Sequence, residues 1–64
     1  MTISQQTLYV LMQEHGYSHG LCETAIHFLG QSKEAIDDTI IYIEDCNPSE
    51  QELIEYIAKL CSNK

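Results

Sequence analysis

Residues 39–43 read Thr39-Ile40-Ile41-Tyr42-Ile43, a run of β-branched and aromatic side chains that, taken alone, favours a pleated strand. Whether it is strand or helix decides the fold. A strand here lacks a second strand to pair with, and its backbone N–H and C=O groups would stay unpaired. As a helix the stretch makes sense: Ile36, Ile40 and Ile43 recur at i, i+4 and i+7 on one face. Ser32 is a good N-cap, and Glu34 in the first turn opposes the helix dipole. The run is therefore read as the middle of a third helix, over about 33–45.

The same logic extends outward. Upstream, Ser18 caps a second helix over about 19–29, whose apolar face holds Leu21, Ala25, Phe28 and Leu29, widened by Cys22 and Ile26; Gly30 stops it. A first helix spans about 3–14, with Thr2 and Gln5 in a capping-box arrangement and Ile3, Leu8, Leu11 and Met12 as its stripe. Gly16 suits the left-handed turn after it. Downstream, Asn47 is expected as the cap, Pro48 as the first helical residue and Glu50 as the box partner of a fourth helix over about 48–61. Its stripe is Leu53, Ile54, Ile57, Leu60 and Cys61, with Glu55 and Lys59 as an i,i+4 ion pair and Lys64 favouring the helix end. Connections of a few residues suit compact helical packing. The sequence thus predicts an all-α bundle of three to four short helices forming a single domain, 1–64.

Sixty-four residues bury only about 60% of the surface an unfolded chain exposes, which disfavours an enclosed active site with its own lid. Ten acids against three lysines give a net charge of −7. That balance argues against direct nucleic-acid binding, which relies on Lys and Arg at phosphates, and against an anionic membrane surface. No basic start followed by an apolar run announces a signal peptide. The longest apolar stretch, Ile40 to Ile43, is far short of the roughly 20 residues of a membrane span. Cys22, Cys46 and Cys61 are odd in number and form no CxxC pair, as expected of reduced thiols in a cytoplasmic protein.

Acid is unevenly spread. Residues 1–30 carry a net −2 and residues 31–64 a net −5. On the third helix Glu34, Asp37, Asp38 and Glu44 point away from the isoleucine stripe, and Asp45 follows. Such a face either keeps a small protein soluble or docks a basic partner, with opposite charge raising the association rate. As catalytic carboxylates these groups lack the contrasting environments that acid/base work requires.

Other chemistry is sparse. His15, His19, Cys22 and His27 are ligand types that zinc favours. However, His15 and His19 straddle the Gly16-Tyr17 turn, and side chains five apart on one helix diverge by about 140°. No metal or cofactor is assigned. Cys22 and Cys61 read as core thiols, and Glu44 and Asp45 beside Cys46 disfavour a thiolate. With no Gly-rich phosphate loop and no GxSxG turn, the chain is not expected to be an enzyme. Tyrosines suit protein contacts through a large apolar body and a polar tip. Tyr42 and Tyr56 flank apolar stripes, and Tyr17, in a turn between helices, is expected to find few core neighbours.

From Leu11 to about Ile43 the chain resembles a ubiquitin-associated (UBA) domain, a compact three-helix module, here with an added C-terminal helix. Gly16-Tyr17 matches the family's Gly-Phe/Tyr turn, and Ala25-Ile26 its Ala-Leu-type pair. Ala35-Ile36 or Thr39-Ile40-Ile41-Tyr42-Ile43 falls at its third-helix motif. The resemblance implies that the Gly16-Tyr17 loop and the end of helix three hold an apolar patch of a partner protein. One expectation is thus a binding module that engages a protein through Gly16, Tyr17, Ile41 and Tyr42, rimmed by Asp37, Asp38, Glu44 and Asp45. The other is an acidic inhibitor or decoy, of a size and charge common among phage-encoded regulators, that occupies the basic surface of a nucleic-acid-binding protein. A homodimer burying leftover apolar surface is compatible with both.

Overall fold

The computed structural model describes residues 1–62, and side chains as far as Leu60. The described residues form a small all-α bundle of four helices: α1 (Ile3–Glu14), α2 (His19–Leu29), α3 (Lys33–Cys46) and α4 (Glu50–Ser62). The β-favouring run Thr39–Ile43 lies within α3. Cys61 and Lys64, expected on the fourth stripe and at the helix end, lie outside the described side chains.

Local capping fixes most boundaries. At the start of α1, the Gln5 N–H donates to Thr2 Oγ1 and the Thr2 N–H donates to Gln5 Oε1, completing the capping box. Ser18 and Ser32 accept the amides of Leu21 and Ala35 as the caps of α2 and α3. Gly16 takes φ +84° after α1. The Tyr17 and Gly16 amides donate back to the carbonyls of Met12 and Gln13, the paired bonds of a Schellman motif.

The fourth boundary differs from expectation. Asn47 is not the N-cap of α4 but the left-handed C-cap of α3, at φ +46°, with its amide donating to Ile43 O. The cap is Ser49: its Oγ accepts the Glu52 amide while Glu52 Oε1 accepts the Ser49 amide. In Asn47-Pro48-Ser49-Glu50 both Asn47 and Ser49 can cap, and αL geometry at Asn47 settles the competition because Asn tolerates that conformation.

Packing draws on the predicted stripes. Leu8 and Met12 of α1, Leu21, Cys22, Ala25 and Leu29 of α2, Ile36 and Ile43 of α3, and Leu53 and Ile57 of α4 form one buried cluster. α1 packs mainly against α2 and α3; α4 lies on α2, with a lighter contact to α3. Three expected stripe members are exposed instead: Ile3, Phe28 and Ile54. Ile54 follows Leu53 by one residue and Ile3 precedes Leu8 by five, which turns them about 100° and 140° from those buried neighbours. Two polar residues take core places. Thr39 is fully buried with its hydroxyl donating to Ala35 O, and Gln5 is buried with its Nε2 donating to Gly30 O at 2.6 Å. Each is satisfied, which removes the usual penalty for burying a polar group. Among the described residues, no helix is long and apolar enough to cross a membrane.

Candidate functional site

α3 presents two unlike faces. Ile36, Thr39 and Ile43 turn inward, and Ile41, 54% exposed, lies on the opposite side. On a helix surface the neighbours of a residue are those three and four positions away. For Ile41 these are Asp37, Asp38, Glu44 and Asp45, so an exposed isoleucine sits among four carboxylates. Among the described residues only Asp37 of the four is ion-paired, to Lys33 at 2.8 Å. That hydrogen bond and the carboxylate charge raise the pKa of Lys33.

Beside this face α3 meets α4 through Tyr42 and Tyr56. Their rings stack with centroids 4.2 Å apart and planes 18° from parallel. Together with Glu52, Glu55 and Lys59 they line a small open pocket of about 210 Å³. The phenol pKa of each is raised, first by partial burial, then by negative charge: Glu52 chiefly for Tyr42, and Asp38 for Tyr56. Both phenols therefore stay neutral, amphipathic and half-buried next to the acidic face.

The structure also brings the Gly16-Tyr17 turn to the end of α3, but uses the contact internally. Tyr17 is half-buried and packs on the core, contrary to the expectation that it finds few neighbours there. Its hydroxyl donates to Pro48 O at 2.5 Å. His15 stacks on the Tyr17 ring, and its Nδ1 lies 3.0 Å from Asn47 Oδ1. The Ser18 amide donates to the Glu50 carboxylate at 2.8 Å, so Glu50, expected to serve the α4 cap, ties two loops together instead. Sequence reasoning missed this clamp, whose partners lie 31 and 32 positions apart; no local signal could have shown it.

The four zinc-type residues are not brought together. His15 faces Asn47, while His19 contacts Glu23 through Nε2 at 3.1 Å and Tyr9 through Nδ1 at 2.7 Å. Cys22 is fully buried, and burial pushes its thiol pKa up. His27 sits edge-on to Phe28. Among the described residues no group of three or more His, Cys, Asp or Glu side chains is placed to hold a metal ion. Cys46, at the exposed end of α3, is a free thiol.

Comparison with known protein families, with curated proteins and with solved structures gives no match for this chain.

Proposed function

We propose that this protein is a small, non-enzymatic binding module of the cytoplasm, built like a UBA domain with a fourth helix, whose partner-facing surface is the outer side of α3. The single observation that carries this reading is Ile41, exposed amid Asp37, Asp38, Glu44 and Asp45. A buried apolar anchor supplies most of the energy of a typical interface, and a charged rim supplies orientation and speed. The fitting partner is a protein whose basic surface surrounds an apolar recess. Tyr42, stacked on Tyr56, extends the contact toward α4, and Gly16 and Tyr17 act from beneath by fixing the loops that end α3.

A purely electrostatic decoy for the basic surface of a nucleic-acid-binding protein is the second reading, favoured by the concentration of acid on the same face. Partner capture with the wild-type chain, Ile41→Asp, and a Lys replacement of Asp37, Asp38, Glu44 and Asp45, at low and high salt, separates the two. The anchored module loses its partner in Ile41→Asp and keeps it in salt, because only exposed charge pairs are screened. A partner that survives Ile41→Asp but is released by salt and by charge reversal identifies the decoy. A partner retained by both variants rules out the α3 face altogether.

A further inference from the structure

A second uncovered face lies on α1. Ile3, Thr7, Val10 and Glu14 are spaced by four, three and four residues, which aligns them along one side of the helix. Leu8 and Met12 on the other side are fully buried, while Ile3 is 84% and Val10 45% exposed. With Gln6 and Leu11 this line forms a shallow depression of about 370 Å³. Its charge sets it apart: between Met1 and Gln13 the only ionisable side chain is the phenol of Tyr9, in a chain of net charge −7. Two copies of an acidic chain repel each other, and they repel least where both present α1.

We propose that α1 is a self-association surface on which two copies pair antiparallel about a two-fold axis near Gln6 and Thr7. Ile3 and Val10 are two turns apart, about 10.5 Å, so Ile3 of each copy meets the partner's Val10, the self-complementary contact that a two-fold axis requires. Glu14 sets the direction. A parallel pair places two Glu14 carboxylates side by side. The antiparallel pair instead carries each one to the N-terminal end of the other helix, about 6 Å past its first residue, on the side where the dipole is positive and the first turn of α1 carries no acid of its own. A stable interface buries about 800 Å² per partner, nearly a fifth of the 4234 Å² this chain exposes. One helix of 12 residues offers less, so the pairing is weak and fills only toward millimolar concentration. It makes no use of Ile41 and stands independently of the α3 reading.

Sedimentation equilibrium from micromolar to millimolar protein, with amide NMR spectra over the same range, tests it. The apparent mass should climb from 7.3 kDa toward twice that value, with shifts concentrated at Ile3, Thr7, Val10 and Glu14. Val10→Glu should weaken association by about tenfold or more, since it buries an unpaired charge at the seam. Glu14→Lys, at an exposed position, should weaken it less, and Ile41→Asp should leave it unchanged. A chain that stays monomeric at millimolar concentration overturns the proposal, as does association whose shifts map to α3 or α4. Should Val10→Glu unfold, an Ile3→Ser isotherm decides alone, because it removes the exposed seam contact and leaves the net charge at −7: association as strong as wild type contradicts the antiparallel pair.

Discussion

The loop end of the bundle and the outer face of α3 lie close together in sequence and are put to opposite use. Where residues 15–18 meet residues 47–50, a tyrosine, a histidine and a glutamate are all engaged within the chain. On α3, only a few residues earlier in sequence, an isoleucine and its ring of acids face solvent. Polar groups committed to one another stabilise a fold. An apolar group left exposed among charges contributes little to stability. The contrast separates residues whose loss should damage the bundle from residues whose loss should damage only the recognition we propose.

The sharpest way to break this division is to truncate one isoleucine-sized side chain on each side of it. Leu53→Ala, in the fully buried cluster, should cost about 2–5 kcal/mol through lost transfer energy and a cavity. Ile41→Ala should change stability by about 0.5 kcal/mol or less, as is usual for exposed sites. Urea titrations followed by far-UV circular dichroism compare them directly; equal losses would mean that Ile41 belongs to the core.

The clamp is tested next. Tyr17→Phe removes the bond to Pro48 O and should cost about 1 kcal/mol. It should also alter the alkaline limb of stability. The phenols of Tyr9, Tyr17, Tyr42 and Tyr56 are all raised above 10.0, first by burial. A proton held more tightly in the folded chain than in the unfolded one stabilises the fold. That contribution is complete below pH 10.0 and is lost as pH rises from there through the folded values. Thermal melts across this range should show the wild-type chain losing stability, and Tyr17→Phe losing less because one such phenol is gone. A pH-independent melting temperature would contradict the burial of these rings.

The smallest effects sharpen the boundary between α3 and α4. Ser49→Ala deletes the α4 cap and should cost about 1 kcal/mol. Asn47→Gly keeps a residue that accepts φ +46° but gives up the His15 contact to Asn47 Oδ1, and should cost about 0.5 kcal/mol, less than loss of the cap. Were Asn47 the cap of α4, Ser49→Ala would leave stability nearly unchanged.

What could be read from the sequence follows from the range of the interactions involved. Thr2 with Gln5, Ser18 and Ser32 were legible as caps because a capping side chain reaches an amide three residues on. Thr39–Ile43 was legible as helix because a lone strand leaves its backbone unpaired. The crowd of acids around Ile41 is likewise a matter of helical spacing. Asn47 was misassigned because two capping candidates, Asn47 and Ser49, stand two residues apart and only the backbone conformation chooses between them. Tyr17 and Glu50 were misread because their partners come from the other loop; Gln5 was legible as a capping partner, but its bond to Gly30 was not, because that carbonyl lies 25 residues away. Exposure of Ile3 and Ile54 was hidden by stripes drawn wider than the surface that α1 and α4 bury.

The most direct test of the central claim is amide shift mapping on the isotopically labelled chain as its captured partner is added. The largest changes are expected from Asp37 to Asp45 and at Tyr56, with residues 15–18 nearly unmoved. Changes confined to residues 15–18 and 47–50, or to α1, with α3 silent, would contradict that claim.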